Sequence, residues 1–443
     1  MTTPTQWREV PEAVMPARSG QKHVRSWQAR YRRAVAALRA MPEIKLCQAL
    51  FLASMLFGQL SLFHQAGIGL GHGFEMAAIA KNLAETGTYG NPFEPAVTGP
   101  TALAPPLYPL FLAALIKILR VHSVIVFTVM LANILVNALI AALMPRLSRV
   151  FYGDLVPGAL GAVLWILAAR LMPPWDASYT IAGLMLFCLA TAKWNDERKT
   201  VAAASTLTGF WAGVLSLLNP VTILVVLPWV AMRLWLRRLS LRDAAKYIAV
   251  TLLMIALCNV PWLARNYAIW HAPVLRSNFG LTLYSSNNSC AESSLYKNMK
   301  SGCYQKTNPV DSEEEIRLLQ AVGEVRYDHQ RTADALRWIR ENPSRFRQLT
   351  LSRIGEFWFP DPDLYAIWAI TLLSIPGIIL MAIRRQPLTL FVLTIWLLYP
   401  IMYYVVISCD RYRYPILWTS MLPAGYFLAW LLTGPRSRKS EAS

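Results

Sequence analysis

The sequence predicts an all-α polytopic membrane protein, and three observations carry that prediction. Hydrophobic residues make up 55% of the 443-residue chain and charged residues only 15%, at a mean hydropathy of +0.36. That balance belongs to chains buried in lipid rather than to water-soluble domains. Apolar runs of 15 residues or more recur along the chain, and about 20 such residues in a helix cross a hydrocarbon layer of roughly 30 Å. Many of the Lys and Arg residues behind the net charge of +18 lie in short loops between these runs. Charge placed there reports membrane orientation and argues against a nucleic-acid partner.

Residues 1–43 lack an early apolar core and a small-residue cleavage pattern, so they read as a basic cytoplasmic arm without a cleavable signal peptide. Arg25, Arg30, Arg32, Arg33 and Arg39 lie on it beside the bilayer surface. The apolar runs 44–64, 122–145, 155–170, 178–192, 201–218, 221–236, 245–262, 364–383, 387–407 and 415–433 then predict ten spans. An eleventh apolar run, 105–119, is short and ends on Lys117 and Arg120. Leaving it out puts Arg146 and Arg149, Lys193 to Lys199, Arg237 to Lys246, Arg384 and Arg385, and Arg436 to Lys439 all on the cytoplasmic side. Counting it flips the first three clusters outward, so the positive-inside rule makes 105–119 an interfacial helix. Both termini are then cytoplasmic.

The same orientation puts the polar material outside: the loop 65–121, the loop LMPPWDAS around Asp176, the turn at Asn219 and Pro220, the segment 263–360 and the loop CDRYRYP. The chain thus divides into the arm, a transmembrane module over 44–262, an outer soluble region over 263–360, and C-terminal helices with a tail over 361–443. Glu75 opens a short predicted helix that buries Met76, Ile79, Ala80 and Leu83, and a second amphipathic segment starts at Pro105 and Pro106 and carries Tyr108. The later half of the outer region shows apolar residues at helical spacing, from Ile316 to Ile354, broken at Asn342 and Pro343. Cys290 and Cys303 flank a 12-residue polar segment in an oxidising compartment and are a candidate disulfide, with Cys409 as an alternative partner for either. Cys47, Cys188 and Cys258 read as packing residues within spans.

Neither a phosphate-binding loop ending in Lys-Ser or Lys-Thr nor a GxGxxG turn after a strand is present, so a nucleotide donor is not indicated. The order of a first span, an acidic residue followed by IAKNL, then PPLYPLFLAAL, PWLARNY, an outer stretch and RYRYP resembles the GT-C class of bacterial membrane glycosyltransferases. It is most similar to the family 39-like proteins, relatives of protein O-mannosyltransferases and of the lipid A aminoarabinose transferase, over nearly the whole chain. The resemblance implies a GT-C-type architecture. It also implies sugar transfer from a polyprenyl-phosphate carrier to a lipid, glycan or protein acceptor on the outer face, with inversion. No cofactor is required by that chemistry; a divalent cation is compatible with it, and no metal site is predicted.

In that family an acid of the first outer loop serves as base or positions the acceptor, and Glu75 is the match here. The family's aspartate position holds His72, one helical turn earlier, which could share the proton. Asp176 corresponds to a second acid of the relatives. Arg265, Arg411 and Arg413 are candidates for the donor phosphate, since a guanidinium holds phosphate oxygens in a fork. Tyr108, Asn266, Asn287 and Asn288 are candidates to line the substrate. Each has a plain alternative: an acid that meets a helix dipole, arginines that snorkel to the interface, an interfacial tyrosine, asparagines in turns. The competing class is a non-catalytic GT-C-fold protein or a transporter of lipid-linked sugars. A transporter calls for ionisable groups or broken helices at mid-membrane depth, whereas the charges here gather at span ends.

Overall fold

The computed structural model describes residues 33–65, 75–169, 175–192, 200–360 and 365–433. The arm before Arg33, His72, the loop 193–199 and the tail from 434 lie outside the described residues. Within them the protein is all-helical, with no β-strand and two isolated bridges, Gly90 with Pro100 and Ser294 with Ser408.

Every apolar run becomes a helix because a continuous apolar segment satisfies its own backbone only in that form. Helices α1 (Arg33–Ala40) and α2 (Glu43–Gln65) lead in, followed after the polar outer loop by α5 (His122–Tyr152), α6 (Val156–Ala169), α7 (Asp176–Ala192), α8 (Val201–Leu218), α9 (Ile223–Arg237) and α10 (Leu241–Trp270). The C-terminal set is α17 (Tyr365–Ile383), α18 (Leu388–Leu398), α19 (Ile401–Tyr404) and α20 (Tyr414–Thr433). Among the described residues, six helices are long and apolar enough to cross a membrane, or seven if α1 and the following Glu43–Gly58, which meet at 110°, count as one span. That is fewer than the ten spans read from hydropathy. Val156–Ala168, Asp176–Ala192 and Leu388–Tyr404 are shorter apolar helices, and the last is interrupted by Pro400, whose ring cannot continue a helix.

The bundle core is built around α20, which packs on α6 and α17, with Trp165, Trp229 and Trp418 fully buried. Helices α8 and α10 lie against each other, and small residues set their spacing. A Cβ on Gly209 would come within 2.5 Å of the Thr251 carbonyl oxygen. Asn219 closes α8 and its side chain accepts from the Val221 N–H, which turns the chain into α9.

At one end of the bundle lie α3 (Glu75–Thr86) and α4 (Leu107–Leu119). Ile79 and Ala80 are fully buried, Ala80 against Tyr108 and Leu112 and Ile79 against Tyr89 and Trp262. The same end carries a helical cap: α11 (Phe279–Ser286), α12 (Leu295–Ser301), α13 (Cys303–Thr307), α14 (Glu313–Val322), α15 (Glu324–Glu341) and α16 (Pro343–Trp358). Ser312 caps α14 by accepting from the Glu315 N–H, and Pro343 starts α16 at the position where a missing N–H costs least. The break at Asn342 and Pro343 therefore falls where the sequence places it. The three short helices before Asn308 are too brief to leave an apolar periodicity in the sequence.

Candidate active site

An open cavity of about 680 Å³, counting the solvent at its mouth, lies where the cap meets the bundle. Its wall is assembled from helix ends and loops. Glu75 and Met76 come from the first turn of α3, Trp175 and Asp176 from the start of α7, and Asn219 from the end of α8. Arg276 and Asn278 precede α11, while Tyr403, Arg411 and Tyr412 precede α20.

Two carboxylates and two guanidiniums thus share one cavity. Asn219 Nδ2 donates to Asp176 Oδ2 at 3.3 Å, so the group that caps α8 also orients the acid of α7. Arg411 lies over the rings of Trp175 and Tyr412 at 5.1 and 5.4 Å, a cation–π seat that fixes its approach. Tyr412 stacks on Tyr403 with ring centres 4.7 Å apart. Arg276 Nε donates to the Leu103 carbonyl oxygen at 2.8 Å, which anchors one edge of the guanidinium beside the cavity wall. Burial, with the nearby charge of Glu75, pushes the Tyr304 phenol well up, so that hydroxyl remains a neutral donor near Glu75.

Of the residues singled out from sequence, Glu75, Asp176 and Arg411 meet at this cavity. The others have different positions. Arg265 lies inside α10, which continues to Trp270. Its guanidinium donates to the carbonyl oxygens of Thr101 and Tyr89 at 2.7 and 2.8 Å and lies over Tyr89, Trp262 and Trp270. It is a clamp on the outer loop. Arg413 is 2% exposed, donates to the Trp358 carbonyl oxygen at 2.6 Å and faces away into the protein. Tyr108, also 2% exposed, packs between Phe111 and Tyr179.

The asparagines read as substrate-lining do not line this cavity. Asn266 Nδ2 donates to the Val274 carbonyl oxygen at 2.6 Å, and its Oδ1 accepts from Arg265. Asn287, fully buried, donates to the carbonyl oxygens of Leu283 and Val405 and accepts from Arg353. Asn288 donates to the Tyr284 carbonyl oxygen and accepts from the Cys290 N–H. Cys290 and Cys303 are disulfide-bonded to each other, so Cys409 is not the partner of either.

No family model matches the chain, and no curated protein matches it. The resemblance to GT-C enzymes therefore stands on the sequence motifs alone. Arg276, Asn219 and Tyr304 escaped the sequence reading. Arg276 sits in LRSN, with no neighbouring motif, and becomes visible only when its loop is seen beside α3 and α7. Asn219 carried a signal, an Asn-Pro pair at a helix end, which the sequence reading used as a turn.

Proposed function

We propose that the protein is a GT-C-type glycosyltransferase with ten spans, which moves a sugar from a polyprenyl-phosphate carrier to a hydroxyl acceptor on the outer face. The observation that carries the reading is the meeting of Glu75, Asp176, Arg411 and Arg276 at one cavity. Inverting transfer needs that set of groups. The acceptor oxygen forms a bond to the anomeric carbon as the bond from that carbon to the phosphate oxygen breaks, and the electron pair leaves with the phosphate. Glu75 takes the acceptor proton, and Arg411 and Arg276 hold the charge that grows on the departing phosphate. Asp176, oriented by Asn219, holds the acceptor or the sugar hydroxyls. Glu75 and Asp176 are also the oxygens a divalent cation would use in this cavity, although the mechanism is complete without one.

The cavity sits where α3, α7, α8 and α20 present their ends, so a carrier headgroup reaches it while the polyprenyl chain stays in lipid. The test is transfer of labelled sugar from a panel of polyprenyl-phosphate sugars by purified protein in lipid nanodiscs. Glu75→Gln is expected to lower the rate by about 10²–10⁴-fold, the usual contribution of a positioned base, with donor affinity retained. Equal rates in wild type and variant would remove Glu75 from the mechanism. Bound donor with no transfer to any acceptor would favour the non-catalytic carrier reading.

A further inference from the structure

We infer that Glu324 is a positioning residue that fastens, from behind, the two backbone segments presenting Arg276 and Leu103–Ala104 to the cavity. The inference deepens the sugar-transfer reading above, in its binding of the donor phosphate, and rests on it. Glu324 is the first residue of α15 and is 7% exposed. Thr101 Oγ1 donates to its Oε2 at 2.5 Å, the Ala102 N–H to its Oε1 at 2.6 Å, and Ser277 Oγ donates to Oε1 as well.

Those three donors are next to the cavity wall in sequence. Thr101 and Ala102 lead directly into Leu103 and Ala104, and Ser277 lies between Arg276 and Asn278; all four of these neighbours line the cavity. The two segments are also joined to each other. Arg276 Nε donates to the Leu103 carbonyl oxygen at 2.8 Å, and the Ser277 N–H donates to the Ala102 carbonyl oxygen at 3.1 Å.

A buried carboxylate is a costly way to fill space, because its desolvation is offset only if its oxygens are fully hydrogen-bonded. An apolar side chain would pack there at less cost, but it would give no direction to the Thr101, Ala102 and Ser277 donors. Glu324 supplies that direction. It ties the position of Arg276 to α15 and hence to the cap, without touching the substrate itself.

The experiment measures binding of a labelled short-chain polyprenyl phosphate to full-length protein in nanodiscs, together with hydrogen–deuterium exchange over 101–104 and 275–278. Glu324→Ala is expected to weaken binding about tenfold, and in the Arg276→Ala background to weaken it no further. That non-additivity marks action through Arg276, which general loosening would not produce. Exchange in both segments should rise in Glu324→Ala while the bundle helices keep their protection. Glu324→Gln, which keeps the size and one acceptor, should recover part of the affinity and serves if the alanine variant does not fold. Losses that multiply in the double variant, or binding and exchange unchanged by both Glu324 substitutions, would overturn the inference. If wild type binds no polyprenyl phosphate the phosphate reading fails, and exchange alone decides the latch: faster exchange retains it and unchanged exchange removes it.

Discussion

Glu75 and Arg265 illustrate what a residue's sequence context can and cannot reveal. Both stand beside recognisable motifs, and both lie at the same end of the bundle. Glu75 opens onto a cavity at the first residue of a helix whose buried residues, Ile79 and Ala80, follow about one turn later. Arg265 is turned inward because two carbonyl oxygens and three aromatic rings surround its guanidinium. The motif PWLARNY specifies the arginine and says nothing of the carbonyls that come from residues 89 and 101. Glu324 is the reverse case, a residue with no motif and a clear geometry. Burial pushes its carboxyl above the ordinary value of 4.5, and the donors Ala102, Ser277 and Thr101, with the charge of Arg265, only partly oppose this. A raised carboxyl favours the fold while it is protonated. Its contribution is fully present below pH 4.5 and is lost as pH climbs through the raised value. The stability of wild type relative to Glu324→Gln should therefore fall as pH rises above about 4.5 in thermal unfolding; a difference that does not change with pH would contradict this.

At the scale of elements, the loop closed by Cys290 and Cys303 reaches the cavity through the backbone. The Ser408 N–H donates to the Ser293 carbonyl oxygen at 2.8 Å and the Leu295 N–H to that of Ser408 at 2.9 Å. The disulfide-closed segment thus holds the strand-like stretch that leads to Arg411. Closing a loop with a sequence separation of 13 removes disorder from the unfolded chain, worth about 3 kcal/mol for loops of this size. Reduction, or the paired change Cys290→Ser with Cys303→Ser, should lower the melting temperature and loosen the Ser408 pairing, seen as faster exchange at 406–411. Unchanged exchange there would mean that the pairing holds without the bridge. The sequence showed the two cysteines and the sidedness that favours their union. It could not show the partner stretch at 408, which is more than a hundred residues away. Close approach of α11 to α15 was equally hidden: a Cβ on Gly280 would lie 1.8 Å from the Asp328 carbonyl oxygen, so only glycine admits that contact.

For the whole molecule, hydropathy located the apolar helices of the bundle well, since an apolar run and its helix have the same cause. Which helices span is a separate matter from where they lie: α6 and α7 are short, and Pro400 divides the run 387–407. Cavities are harder still. A cavity is a relation among chain segments, and Glu75, Asp176, Arg276 and Arg411 come from four of them. The proposed orientation can be checked on intact cells with a membrane-impermeant maleimide, in a background lacking the cysteines outside the disulfide. Arg317→Cys on exposed α14 should label from outside and Arg385→Cys only after lysis; the opposite pattern would invert the molecule. The wide spacing of the cavity's parts also sets an order for biosynthesis. A ribosome adding roughly 5–20 residues/s needs roughly 20–70 s to pass from Glu75 to Arg411. Until the final helix follows, the nascent chain holds half a wall and no enclosure. A prematurely terminated product would then sit in the bilayer with the cavity still open on the side of Arg411.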